Sequence, residues 1–243
     1  MRLIEKGNEP IDWKAEREKP DRGSFEAIQE LRQSLYKEQG GICAYCMQRL
    51  EDELTPIKDR EIKVVAKGGH EIVKNKVEHI ITQSESKHLN QPDNDFDYNN
   101  MLLCCNGKTN FKDEIHIHCD TLRQNSELTL SPLQKDFIDQ IKYDNSGRIY
   151  TDIEPWDTEM GKVLNLNCGV MLNNRKAVLA AVRTKLTGYN KRKKRTTHAP
   201  FDMGQMKSEL SSWNHRDAND LYKPYCGIVA WYLEKKLRQS TKP

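Results

Sequence analysis

The spacing of the cysteines constrains this chain more than any other feature of its sequence. Cys43 and Cys46 form a CxxC pair, and Cys104, Cys105 and Cys119 follow later in the chain. Two thiolates at CxxC spacing can bind one tetrahedral ion. Thioredoxin-like redox proteins also use this spacing, but no βαβ pattern surrounds the pair here, and seven cysteines are an odd number for a complete set of disulfides. The spacing therefore favours a structural zinc site with four thiolate ligands.

The second half of this zinc site is ambiguous because Cys104 and Cys105 are adjacent. Neighbouring side chains on an extended segment point to opposite faces, so only one of the two thiols can reach the ion. Cys119 supplies the fourth thiolate in either case, with His116 and His118 as alternatives. The other two cysteines, at positions 168 and 226, are interpreted as small core residues.

The composition argues against a membrane protein. Charged residues make up 31% of the chain, the net charge is +3, and the longest apolar stretch, 228–233, is far shorter than the roughly 20 residues of a membrane helix. The first ten residues, MRLIEKGNEP, lack the apolar segment of a secretory signal. We therefore expect a cytoplasmic protein without a membrane partner.

Five consecutive cations in the C-terminal half favour a polyanionic partner such as nucleic acid. The alternatives are a solvated loop or a docking strip for an acidic face of another protein. We call this segment the basic run; it consists of Lys191, Arg192, Lys193, Lys194 and Arg195.

Hydrophobic periodicity and turn residues predict the main elements. Residues 1–23 are expected to be an extended arm, 61–77 a hairpin around Gly68 and Gly69, 77–81 a strand, and 84–99 a loop. Helices are expected from Ser24 to about Glu38, ended by Gly40 and Gly41, and near residues 132–142, 173–186, 203–212 and 217–238.

Glu78 and His79 lie between the two cysteine groups, within the segment Lys76-Val77-Glu78-His79-Ile80. Adjacent residues on a strand face opposite sides, so one can bind a metal while the other faces a substrate. A carboxylate suits Mg²⁺, which usually takes one or two of them. A histidine with a pKa near 6.5 suits a general base. We therefore assign the metal-ligand role to Glu78 and the general-base role to His79.

Four motifs in order, CAYC, VEHI, NNMLLCC and HCDTLR, resemble the pattern of the HNH endonuclease family. The resemblance covers about residues 42–125. It implies an α+β fold in which a ββα-metal nuclease core with a Cys₄ zinc site occupies 41–130. An N-terminal arm and helix, 1–40, would precede the core, and a mainly α-helical region, 131–243, would follow it and bind nucleic acid or a partner.

The resemblance also implies roles for individual residues. His79 takes the position of the general base, and Glu78 and Asp120 take the positions of the ligands of a catalytic Mg²⁺ or Mn²⁺. The family usually has Asn where this chain has Asp120, which is still an oxygen ligand. Asn100 takes the position of the residue that braces the loop holding the base.

Two further assignments depend on the same alignment of motifs. The family's Asn stands five residues before its next zinc cysteine, which selects Cys105 over Cys104 as the ligand. Arg123 stands where the family has Lys, so it is expected to contact a phosphate or to be a surface charge.

A narrower resemblance is to the HNH subunits of Septu-type antiphage defence systems, the PtuB family. It is carried by LRQSLYKEQGGICAYC, by EHI with a serine four residues later, by CNG and by HCD. It implies a role in defence, an ABC-type ATPase partner (PtuA-like) and, in retron-associated members, a retron RNA–DNA element.

We therefore expect a metal-dependent endonuclease that hydrolyses phosphodiester bonds of DNA, or of RNA such as tRNA. The alternative is a non-catalytic zinc-stabilised module that binds nucleic acid or serves as an adaptor. The trio Glu78, His79 and Asp120 favours the enzyme, because a decayed site would be expected to lack at least one of them.

Overall fold

The computed structural model describes residues 1–52, 72–111, 114–192 and 201–240 of a mixed α/β protein. The helices are α1 (Ile11–Arg17), α2 (Gln29–Glu38), α3 (Gln83–His88), α4 (Cys119–Arg123), α5 (Lys135–Asp139), α6 (Glu154–Thr158), α7 (Gly169–Arg192), α8 (Met203–Asn214) and α9 (Cys226–Ser240). The strands are β1 (Arg49–Leu50), β2 (Ile72–Val73), β3 (Asn75–His79), β4 (Met101–Cys105), β5 (Lys108–Phe111), β6 (Glu114–Ile117), β7 (Lys142–Tyr143) and β8 (Ile149–Tyr150).

The N-terminal segment differs from the extended arm expected from the sequence, because it contains helix α1. Trp13 of this helix is fully buried, and its indole N–H donates to the carbonyl of Phe96 at 3.1 Å. Helix α2 begins at Gln29 instead of Ser24, since the preceding residues stay extended while Phe25 packs edge-on against Trp13. The arm is therefore part of the core.

Helix α2 ends at Glu38, where the sequence predicts its end. Gly40 and Gly41 follow with φ angles of 57° and 68°. A Cβ atom on Gly41 would lie 2.8 Å from the ring of Tyr36, so the turn requires glycine for both its backbone conformation and its space.

Strands β3 and β4 form an antiparallel pair in the register Asn75↔Cys105 to His79↔Met101. All five residues of β4 are buried. Strands β5 and β6 form a second antiparallel pair, and α4 follows it directly and packs against β4. Strands β1 and β2 pair in parallel, whereas the first strand and the turn of the hairpin expected at 61–77 fall outside the described residues.

The segment 84–99, expected as a loop, contains α3 and the 3₁₀ turn Pro92–Asp95. Helix α3 begins where the Thr82 hydroxyl accepts a hydrogen bond from the amide of Glu85 at 3.1 Å. A second 3₁₀ turn, Tyr98–Asn100, leads into β4.

The C-terminal half is mainly helical, as expected, but several elements differ from those expected: α6 is an additional helix, and α7 is longer than the helix expected at 173–186. The helix expected at 132–142 is shorter, α5, and is followed by the hairpin of β7 and β8. The helix expected from residue 217 begins only at Cys226, because Asp217 accepts amide hydrogen bonds from Asn219 and Leu221 in a turn and Pro224 follows.

One cluster of buried apolar side chains extends through the N-terminal segment, the cysteine-containing region and the C-terminal helices. Cys168 and Cys226 belong to it, as the sequence predicts. Among the residues that the structure describes, none of the helices has the length and apolar content needed to cross a bilayer.

Candidate metal centre and adjoining carboxylate site

Four buried cysteine thiols come together at the junction of the N-terminal half and α4. The sulfurs of Cys43, Cys46, Cys105 and Cys119 all lie within 4.8 Å of one another, and all four residues are fully shielded from solvent. Four thiols at this spacing are the donor set of a tetrahedral structural zinc site. The cluster could therefore hold a metal ion such as zinc.

The loop that carries Cys43 and Cys46 is held against β4 by backbone and side-chain hydrogen bonds. The amide of Ala44 donates to the carbonyl of Leu103 at 3.2 Å, and the side-chain amide of Gln39 bonds both backbone groups of Leu103 at 2.7 Å. Cys105 at the end of β4 thus faces the first cysteine pair.

Cys119 reaches the cluster from the first turn of α4. It has a φ of 52°, and its amide donates to the carbonyl of Leu164 at 2.8 Å. This unusual backbone conformation turns the thiol toward the cluster, and the next residue, Asp120, is only partly exposed.

The cluster contains Cys105 and not Cys104, in line with the sequence expectation. The thiol of Cys104 lies beside that of Cys43 but is not among the four sulfurs that approach one another. His118, one of the two alternative ligands, is buried against the sulfurs, with Nδ1 3.2 Å from the Cys119 Sγ and Nε2 3.0 Å from the Thr109 hydroxyl. It supports the thiols by hydrogen bonding.

Glu78 and Asp120 lie side by side next to this cluster. Their carboxyl groups share a hydrogen bond, and Asp120 also pairs with the ammonium of Lys76. Burial raises the pKa of Glu78 well above its usual value, and contact with Asp120 raises it further, against the opposing effect of Arg123. Burial acts in the same direction on Asp120, but hydrogen bonds from Glu78 and Lys76 outweigh it and lower that pKa.

Arg123, which the sequence predicts to contact a phosphate or to be a surface charge, lies inside the protein. Its side chain is only 1% exposed and forms a buried ion pair with Glu78, which is 3% exposed. The guanidinium also donates to the carbonyls of His79 at 2.8 Å and Ser126 at 2.8 Å, and to the carbonyl of Ile80 at 2.6 Å. The guanidinium N–H groups are therefore hydrogen-bonded to groups inside the protein.

His79 stands at the end of β3 beside the carboxylate pair. Its Nε2 lies 3.0 Å from the carbonyl oxygen of Asp95, which can only accept, so Nε2 carries the proton and Nδ1 the lone pair. The ring of Phe25 packs edge-on against the imidazole with the centroids 4.5 Å apart. Burial lowers the pKa of His79 from its ordinary value, which favours the neutral imidazole.

Asn100 ties the segment after β3 to the segment before β4. Its side-chain oxygen accepts from the amide of Ile81 at 2.7 Å, and its side-chain amide donates to the carbonyls of Ile81 at 3.0 Å and Asn94 at 2.8 Å. Because Asn94 precedes Asp95, these bonds hold the carbonyl that orients His79.

Sequence reasoning did not identify Tyr45, Phe25 or Lys76 as residues of this site. The alternation of β3 is a signal that could have indicated Lys76, since residues 76 and 78 share a strand face. No local signal marks Phe25, whose position depends on the path of the N-terminal segment. For the basic run, the backbone of α7 extends through Arg192 and the remaining residues fall outside the described part of the chain.

No protein-family model matches this chain, and no curated protein is detectably similar to it.

Proposed function

We propose that this protein is a metal-dependent endonuclease of the HNH type, built on a ββα-metal core. The observation that supports this most strongly is the contact between the Glu78 and Asp120 carboxyl groups beside His79, whose Nδ1 carries a lone pair. Strand β3 carries Glu78 and His79, and helix α4 carries Asp120, while β4 pairs with β3 and packs against α4.

In the proposed reaction, His79 acts as the general base. Its Nδ1 takes a proton from the water that attacks the phosphorus of a phosphodiester. The Asp95 carbonyl fixes the tautomer, Phe25 restricts the ring, and Asn100 holds the segment that contains the carbonyl. These residues orient the base before substrate arrives.

Glu78 and Asp120 are the residues that would hold Mg²⁺ or Mn²⁺, because two adjacent carboxylates are the donors that such ions prefer. A divalent cation there supplies electrostatic stabilisation of the phosphate and of the leaving oxygen. Lys76, which is partly exposed and pairs with Asp120, adds a positive charge at the rim of the site.

The four-cysteine cluster would hold a structural Zn²⁺. Its ligands come from the loop before β1, the end of β4 and the start of α4. Binding the ion joins these three segments and sets the position of Asp120, the residue after Cys119.

The cellular role is proposed from the resemblance to Septu-type HNH subunits. We infer a cytoplasmic nuclease of an antiphage defence complex that acts with a PtuA-like ABC-type ATPase and, in a retron-associated system, with an RNA–DNA element. The basic run would then contact nucleic acid or the ATPase.

The alternative is a non-catalytic zinc-stabilised module that binds nucleic acid or a partner. The buried ion pair between Glu78 and Arg123 is the observation that favours it, since a carboxylate paired inside the fold is also a common structural feature.

The test is cleavage of circular plasmid DNA and of total RNA by the zinc-loaded protein, with and without its co-expressed ATPase partner. We expect Mg²⁺- or Mn²⁺-dependent cleavage that is absent in the His79→Ala variant. A circular substrate reports internal cuts. Nucleic-acid binding without cleavage under every one of these conditions would refute the enzyme and support the module.

A further inference from the structure

Tyr45 lies between the two cysteines of the CxxC pair, yet its hydroxyl points away from the sulfurs and into the carboxylate site. It donates to Oε1 of Glu78 at 3.0 Å, and the side chain is 2% exposed. The loop that carries two of the four clustered thiols is therefore hydrogen-bonded directly to the proposed metal-binding carboxylate.

Arg123 contacts the same oxygen. Its Nη1 pairs with Oε1 of Glu78 and also lies 3.4 Å from the Tyr45 hydroxyl. The backbone carbonyls of His79, Ile80 and Ser126 fix the guanidinium, so it cannot follow the carboxylate if the carboxylate turns. Tyr45 and Arg123 thus both hold Oε1, so a cation that takes the place of the hydrogen bond between Glu78 and Asp120 would bind Glu78 through Oε2.

We propose that Tyr45 and Arg123 are positioning residues that hold Oε1 of Glu78, so that Glu78 binds the divalent cation through Oε2 alone. This inference rests on the proposed function for the existence of the cation site. It adds that the cysteine loop and the carboxylate site are coupled through one hydroxyl group. Hydrogen-bond partners of metal ligands typically change metal affinity or activity by about 10- to 100-fold when removed.

The experiment measures Mn²⁺ affinity of the zinc-loaded full chain by electron paramagnetic resonance. Tyr45→Phe removes only the hydroxyl, and we expect the dissociation constant for Mn²⁺ to rise about 10-fold or more with the zinc content unchanged. Tyr98→Phe is the matched control, because the Tyr98 hydroxyl donates to another carboxylate, Oε1 of Glu38, at 2.6 Å. It should leave the Mn²⁺ affinity at the wild-type value.

A double-mutant cycle separates positioning from general packing. In a Glu78→Gln background, adding Tyr45→Phe should change the weak residual Mn²⁺ affinity less than twofold. Activity measured against Mn²⁺ concentration should shift to higher concentration in Tyr45→Phe and reach a plateau close to that of the wild type. If Tyr45→Phe lowers the Mn²⁺ affinity by the same factor in the wild-type and the Glu78→Gln backgrounds, the proposal is overturned.

Arg123→Lys provides a second, independent variant outside the cysteine loop. Lysine keeps the positive charge but cannot contact the three carbonyls and Oε1 together, so the Mn²⁺ affinity should fall while zinc is retained. If Tyr45→Phe loses its zinc, the Mn²⁺ affinity of Arg123→Lys tests the inference instead. If Arg123→Lys and Tyr45→Phe both bind Mn²⁺ with the wild-type affinity, the inference is refuted. Mn²⁺ binding that depends on Glu78 and Tyr45 without cleavage of any nucleic acid would refute the proposed nuclease and leave the inference standing.

Discussion

The sulfur atoms of Cys46 and Cys105 lie 3.7 Å apart, although 59 positions separate the two residues in the chain. Their approach closes a long loop that contains β3 and the Glu78–His79 pair. A metal ion at this junction would stabilise the fold by binding a site that the unfolded chain lacks. The proposed catalytic residues would then depend on the ion for their relative positions.

We predict that Cys43→Ser removes the bound metal and most of the folded structure, because a site of four thiolates contributes folding energy directly. Metal analysis and circular dichroism measure both effects. Cys104→Ser is the matched control, since its thiol is equally buried but outside the cluster. Loss of zinc in the control alone would show that Cys104 is the ligand.

We predict that His79→Ala lowers the cleavage rate by about 10²- to 10⁴-fold, the usual contribution of a general base. The variant should keep its zinc and its fold, because the imidazole is not part of the cysteine cluster. Single-turnover cleavage assays measure the rate. An unchanged rate in a folded variant would remove His79 from the mechanism.

The pH dependence of cleavage should reflect the lowered pKa of His79. The base works in its neutral form, so the rate falls as the pH drops through a pKa that burial places below 6.5. Phe25→Ala exposes the ring, and the midpoint of this acid limb should then move up toward 6.5. A wild-type midpoint at or above pH 6.5 would contradict the prediction.

Arg123→Met should destabilise the protein by about 3–5 kcal/mol, because it leaves the Glu78 carboxylate buried without its cation. Urea unfolding measures the change. Lys135→Met breaks the exposed pair with Asp139 and is the control, with an expected cost of about 1 kcal/mol or less. Equal effects of the two substitutions would mean that the Arg123 pair is not buried in solution.

Neutralising three of the five residues of the basic run should flatten the salt dependence of nucleic-acid binding by about two to three units of slope. The zinc content and the rate at saturating substrate should be retained. Fluorescence anisotropy at several salt concentrations measures the slope. An unchanged slope would favour a solvated loop, and loss of ATPase co-purification with unchanged nucleic-acid affinity would favour a docking strip.

The cysteine ligands could be predicted because their chemistry depends on residue type and local spacing. Alternation along a strand allows only one of Cys104 and Cys105 to bind, and the family resemblance selected Cys105, which belongs to the cluster. The same reasoning placed the end of α2 at Glu38, since glycine at positive φ is a local requirement. The predicted start of α2 at Ser24 was wrong, because the packing of Phe25 overrides the helical periodicity of its segment.

The sequence by itself therefore determined which thiols could meet at a metal site, through the CxxC pair and the later cysteines. Only the tertiary structure decided that Arg123 is buried against Glu78, that Tyr45 turns toward the same oxygen, and that the N-terminal segment packs on His79. The physical reason is that burial of a charge, and the partner that compensates it, depend on contacts between distant parts of the chain. Residue spacing carries no information about such contacts.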